Sequence, residues 1–208
     1  MKLRWMTPLL VALHLSSVRC SFADDLEGAN FFPLKAGCEW RYQTRGNAKS
    51  PKITQRVAKV ESVKGDELAR KETVVDNEVT GWEHVSCNAT GLFQHRVNDV
   101  AIDPPMLVVR FPFKDGDRWQ TKSKFGKQMV VVDNESILDE IEVPFGKLKA
   151  IKVTSKSRSE PNGQRYVTTT WFAPNIGMAK VVVKRVDVAD SETTMVLEKF
   201  STKKFLAE

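Results

Sequence analysis

Turn signals recur about every ten residues along this chain, and the stretches between them are rich in β-branched and aromatic residues. They fall at Gly46-Asn47, Lys64-Gly65-Asp66, Asp76-Asn77, 88–91, Asp133-Asn134, 144–146, Pro161-Asn162-Gly163 and Asp190-Ser191. Between them, 39–45 alternates Trp40, Tyr42 and Thr44 against charged Glu39, Arg41 and Arg45, the period of a half-buried strand. Tyr166–Ala173 (YVTTTWFA) is almost wholly β-branched and aromatic, and 62–75, 127–133, 147–157, 177–188 and 192–200 carry the same propensity. No stretch has the capped, 3.6-period pattern of a long amphipathic helix. The expected fold is therefore mainly β: one antiparallel meander curled into a half-barrel or barrel, with few or no long helices after the leader. In Ile53–Val63 the apolar residues Ile53, Val57, Val60 and Val63 break strict alternation. A bulge near Ala58-Lys59 reconciles them with a strand, because one extra residue flips the phase.

The chain also repeats itself. Phe32-Pro33-Leu34-Lys35-Ala36-Gly37-Cys38-Glu39-Trp40 returns 79 positions later as Phe111-Pro112-Phe113-Lys114-Asp115-Gly116-Asp117-Arg118-Trp119, in the frame F-P-x-K-x-G-x-x-W. Proline stops the preceding segment, glycine supplies a turn conformation that other residues resist, and the indole enters the next strand facing inward. A strand-initiating turn used twice (32–40 and 111–119) accounts for the pattern. The competing functional reading has Lys35 and Lys114 presented to an anionic ligand.

Residues 1–23 read as an export leader: Lys2 and Arg4, a short apolar core at 7–18, then Ser21-Phe22-Ala23 before a cut after Ala23. The rival, a lipidated Cys20, requires a small residue where Arg19 stands. The expected domains are thus a signal peptide, 1–23, and a single β-rich domain, 24–208, in a periplasmic or extracellular location. The leader holds three basic residues and no acid, which leaves 29 basic against 26 acidic side chains in the remainder. So small and mixed an excess gives no reason to expect a nucleic-acid partner. No apolar run reaches the roughly 20 residues of a transmembrane helix.

Cys38 and Cys87 remain after the cut. One disulfide between them would close a loop of about 50 residues and stabilise the fold by about 4 kcal/mol; two separate buried thiols are the alternative. Neither has the neighbours of a zinc site.

The segments 31–40 (FFPLKAGCEW), 111–119 (FPFKDGDRW), 143–153 (VPFGKLKAIKV) and 168–181 (TTTWFAPNIGMAKV), in that order, resemble a broad group of bacterial exported proteins of unknown function. The group is distantly similar to the half-barrels of lipoprotein-localisation factors, whose concave face accepts acyl chains. The resemblance implies a β-rich envelope domain and supplies no catalytic residue or cofactor. It departs from the group's pattern at Cys38, where a polar residue such as Asn is expected.

Candidate chemistry is sparse. His84 and His95 flank the 88–91 turn, and a two-residue turn would pair them across a hairpin; a bulged turn would separate them. Glu83 lies on the opposite face from His84. There is no G-x-S-x-G, H-E-x-x-H or phosphate-binding loop. Asp139, Glu140 and Glu142 read as a solvated strand face. Lys152, Lys156 and Arg158 share a face with Thr154 between them, a basic stripe suited to lipid headgroups or anionic polysaccharide, or simply to solvent. The expected function is a non-enzymatic binding module for a lipid or other apolar ligand, or for a cell-envelope protein, with Trp40, Trp119 and Trp171 nearest the concave face. The alternatives are an assembly module with a filled core, and a hydrolase carrying an acid pair, or a histidine within hydrogen-bonding reach of an acid, in a cleft.

Overall fold

The computed structural model describes residues 28, 30–45, 51–159, 165–188 and 191–202. The leader with its cut after Ala23 and Cys20, and the turns at Gly46-Asn47 and Pro161-Asn162-Gly163, lie outside the described residues. Twelve strands follow one another: β1 (Cys38–Arg45), β2 (Ile53–Val63), β3 (Asp66–Val75), β4 (Glu78–Asn88), β5 (Gly91–Val97), β6 (Val100–Arg110), β7 (Asp117–Phe125), β8 (Gln128–Val143), β9 (Gly146–Ser159), β10 (Tyr166–Ala173), β11 (Gly177–Arg185) and β12 (Thr193–Thr202). Each pairs antiparallel with the next, and β12 pairs with β1, so the meander closes into a barrel. Closure gives every strand a neighbour on both sides. Among the described residues there is no helix.

The turns alternate between two ends. The lower end gathers the Lys64-Gly65, Ala89-Thr90, Pro144-Phe145 and 174–176 turns; the upper end gathers Asp76-Asn77, Asn98-Asp99 and Gly126-Lys127. The bulge expected in β2 is present, with the register against β3 shifting between Val57 and Lys59. It lets Val57 face inward, 2% exposed, while Val60 points to water at 45%.

Both copies of the repeated segment make the same turn. Cys38 N donates to Lys35 O and Asp117 N to Lys114 O, each at 3.1 Å. Gly37 and Gly116 occupy the third turn position at φ 86° and 75°, the left-handed region a type II turn requires there. Their amides each reach the strand after the one they launch, Gly37 N to Val57 O on β2 (2.9 Å) and Gly116 N to Ser136 O on β8 (2.8 Å). The first turn launches β1 and the second launches β7, six strands apart, so the barrel is two six-stranded halves that begin alike. Lys35 and Lys114 serve these turns through their carbonyls while their side chains stay exposed.

The lower half is filled. Phe31 and Phe32, on the strap before β1, are 1% and 2% exposed and plug that end of the barrel. Phe31 meets Phe111 edge-on with ring centroids 5.0 Å apart, and Phe32 lies 5.5 Å from Trp40. Trp40 is fully buried; its indole N–H donates to Ile176 O, and the Tyr42 hydroxyl donates to Met178 O at 2.9 Å. Those donors matter because β11 and β12 share only four residue pairs, from Lys180↔Val196 to Val183↔Thr193. Below that point Phe145 N, at the tip of the β8–β9 hairpin, bonds Leu197 O. Buried carbonyls left by the parted strands thus find partners.

Candidate functional site

The barrel is not solid throughout. A cavity of about 370 Å³ lies inside its upper half, lined by Met106, Leu107 and Val108 of β6, Val130, Val132 and Asn134 of β8, Ser155 and Ser157 of β9, and Thr168 and Thr170 of β10, with Gln94 and Phe125. Register explains the lining. Asn134 pairs with Ser155 and Val132 with Ser157, and Ser155 in turn pairs with Thr168, so these side chains share the inner face. Lower down the same face carries Ile151 and Val153, both essentially fully buried. Small hydroxyl residues near the upper end leave space where large aliphatics fill it below.

A second cause is the seam between β6 and β7. They pair only at Ile102↔Phe125 and Asp103↔Lys124. Pro104 and Pro105 follow at once on β6, and neither has an amide proton to continue the ladder. Side chains bridge the gap instead: the Trp119 indole N–H and the Thr121 hydroxyl both donate to Leu107 O at 3.2 Å. On the wall beside Val130, its register partner Ser123 is fully buried and its hydroxyl has no partner among the described residues.

The polar groups of the wall are otherwise organised. Ser155 Oγ donates to Asn134 Oδ1 at 2.7 Å, and the Asn134 amide donates to Val132 O. On the β3–β5 side, Lys71 Nζ stands 2.7 Å from Glu83 Oε1, and the Gln94 amide donates to Glu83 Oε2. Lys71 also lies over the Phe32 ring, 5.4 Å from its centroid. Burial pushes the Glu83 carboxyl up, but the Lys71 ammonium and the Gln94 amide outweigh it and hold the group below its ordinary range. Burial first, and the Glu83 charge second, push the Tyr42 phenol well above its ordinary value. Among the described residues, Lys71 and Glu83 thus form a matched pair of charges inside the barrel.

The three tryptophans take different places. Trp40 and Trp119 belong to the main core, while Trp171 belongs to a separate cluster with Ala150, Ala173 and Ala179 on the outer face. None of them lines the cavity. Trp171 is only 8% exposed: its N–H donates to Asp139 Oδ2 at 2.8 Å, and Lys180 and Lys152 stand 4.6 and 5.5 Å from its ring centroid. The inward Lys71 and Glu83 and the hydroxyls of β9 and β10 are what reading for aromatics missed. The signal was available in the alternation, since Lys71 shares parity with buried Ala69 and Glu83 with buried Val85.

The histidines part company. The 89–90 turn has two residues, with Asn88 opposite Gly91, yet a bulge before Val85 makes Arg96 the partner of His84. His84 Nε2 lies 2.9 Å from Glu61 Oε2 and His95 Nε2 lies 2.8 Å from Ser86 Oγ. Trp82, its ring 4.4 Å from the Arg70 guanidinium, lies tilted against His84 with ring centroids 5.0 Å apart. Glu83 faces the interior, as the alternation required. Lys59 and then His84 lower the Glu61 carboxyl. Burial lowers His95, with Asp66 opposing and His84 reinforcing. Among the described residues no three His, Cys, Asp or Glu side chains are grouped to hold a metal ion.

Cys38 and Cys87 are free thiols in this structure, and the bridge between them is not formed. Both border a more open groove of about 790 Å³ beneath the strap, with Pro33, Leu34 and Val85. Burial raises both thiols above their ordinary value, which disfavours the thiolate. The enclosed cavity of the upper half is the candidate site. Lys152, Lys156 and Arg158 do share the outer face of β9; Arg158 forks onto Asp133 at 2.7 and 3.1 Å.

No protein-family model matches the chain, and no curated protein matches it. Two solved structures are similar. One is a protein of Bacteroides fragilis described as exported with a YmcC-like fold: 15% identity over 83% of this chain and 99% of that one, TM-score 0.55. The other is described as a lipoprotein of Parabacteroides distasonis: 18% identity over 82% of this chain and 98% of that one, TM-score 0.51. At such identities the likeness establishes the fold alone.

Proposed function

We propose that this chain is an exported, non-enzymatic binding module that takes the apolar part of an amphipathic small molecule into the upper half of its barrel. The observation that carries the reading is the cavity itself. Its volume of about 370 Å³ falls at the small end of the 300–1,000 Å³ typical of ligand pockets. Met106, Leu107, Val108, Val130 and Val132 offer it an apolar wall, while Thr168 and Thr170 offer hydroxyls. With Lys71 and Glu83 neutralising each other, the interior suits an uncharged chain with a hydrogen-bonding group, not a bare ion. The leader pattern at 1–23 and the exported description of a neighbour with this fold support an envelope location.

Native mass spectrometry of the full chain isolated from its own cell envelope tests this. A retained small molecule that organic solvent releases, and that a Thr170→Phe variant of unchanged melting temperature lacks, is the expected result. A chain that carries nothing and binds no added long-chain alcohol would sink the reading. That outcome would favour the assembly module, which the filled lower half already suits.

A further inference from the structure

The upper rim is strongly lopsided. Around β7 to β11 it carries Lys124, Lys127, Lys156 and Lys184, all exposed and outside every ion pair among the described residues. Arg158 and Arg165 join them, matched with Asp133 and Asp187. Around β3 to β6 the same rim carries exposed Asp76, Glu78 and Asp99 instead. The basic sector also exposes three large apolar side chains at the barrel end, Met129 (43%), Val186 (47%) and Val188 (38%). Arg165 and Val186 are tied together through Val186 N to Arg165 O at 2.9 Å. The cavity reaches this sector, since Phe125, Val130, Ser157 and Tyr166 border it next to these turns.

We propose that this basic sector of the upper rim docks on an anionic lipid bilayer, with the lysines at the headgroups and Met129, Val186 and Val188 entering the interface. The assignment stands on charge and exposed apolar surface, independently of any ligand in the cavity. Cations together with protruding aliphatic side chains fit a headgroup layer over an acyl phase. A soluble polyanion would use the cations and leave the aliphatics in water. A polysaccharide would also want an open aromatic platform, and among the described residues no exposed tryptophan stands in this sector. Docked this way, the cavity mouth faces the lipid, and the acidic sector tilts away from it.

Sedimentation of the full-length chain with phosphatidylcholine vesicles, and with vesicles in which one lipid in three is phosphatidylglycerol, tests the proposal. Binding is expected only to the anionic vesicles, and it should weaken between about 0.1 and 1 M salt. A basic residue at an anionic surface is worth about fivefold in affinity, so Lys124→Gln/Lys127→Gln/Lys184→Gln should lose about a hundredfold. Met129→Ser/Val186→Ser should weaken vesicle binding while leaving binding to soluble polyglutamate unchanged. Lys64→Gln/Lys147→Gln, at the opposite end of the barrel, should bind like the parent. Equal binding to both vesicle types, equal losses in the lower-end variant, or indifference to the Met129 and Val186 changes would each overturn the proposal. So would polyglutamate binding as tight as vesicle binding.

Discussion

Removing Lys71 should expose how the barrel tolerates charge in its interior. The Lys71 side chain is 9% exposed and that of Glu83 20%, with 2.7 Å between Nζ and Oε1. In Lys71→Met the Glu83 carboxylate keeps only its bond from Gln94. An orphaned buried charge costs 3–5 kcal/mol; the partial exposure of Glu83 puts the expected loss at about 3 kcal/mol. Lys71→Met/Glu83→Leu replaces the pair with apolar volume and should lie within about 1 kcal/mol of the parent. The double-mutant cycle in urea, followed by tryptophan fluorescence, should therefore give a coupling above about 2 kcal/mol. The pH arm has a defined sign. In the parent, the Glu83 pKa is depressed, so its contribution is present above the unfolded carboxylate value and is lost as pH falls through the folded one. In Lys71→Met burial, the largest influence, is opposed only by the Gln94 bond and raises that pKa, so the variant's deficit should shrink from pH 7 to pH 4. A single-variant cost below about 0.5 kcal/mol, or a deficit unchanged across that interval, would refute this reasoning.

Three further outcomes can be checked by denaturation. Gly116→Ala should cost about 1 kcal/mol, because φ is +75° and an added Cβ meets nothing within 4 Å, leaving only the left-handed backbone penalty; an unchanged urea midpoint would argue against the turn. His95 is lowered by burial, so its contribution is present above the unfolded histidine value and lost as pH falls through the folded one. His95→Gln should flatten the stability profile below about pH 6.5, and an unaltered slope there would contradict that. Trp171→Phe removes the 2.8 Å bond to Asp139 and should cost about 1.5 kcal/mol, whereas Asp139→Asn keeps an acceptor and should cost less; calorimetric unfolding separates the two.

Much of this fold was legible because antiparallel meanders write their period into the chain. The duplicated turn gave the start of β1 and β7, and broken alternation at Val57 to Val60 gave the β2 bulge. The strands of the middle were harder. Val100–Arg110 contains Pro104-Pro105, which argues against a paired strand, and in the barrel its β7 edge is indeed unpaired beyond Asp103. Closure was not readable either, since whether β12 meets β1 depends on accumulated twist and tilt along twelve strands, not on any local residue. For the candidate site, the indoles drew attention because they are large, yet size is what fills a core. Space remains where residues are small, at Ser155, Ser157, Thr168 and Thr170, and polar β-formers look like an outer face until register puts them opposite Asn134 and Val132. The separation of His84 from His95 turned on a single bulge residue, which no turn rule near 88–91 specifies.

The central claim is an upper barrel interior that receives an apolar chain. Anomalous diffraction from crystals grown with a terminally brominated dodecanol reads this directly. A bromine peak inside the barrel among Val130, Val132, Met106 and Thr170, absent in Thr170→Phe, is the expected result. Bromine found only on the outer wall or in the groove beside Cys38 and Cys87, with the interior cavity unchanged, would contradict it.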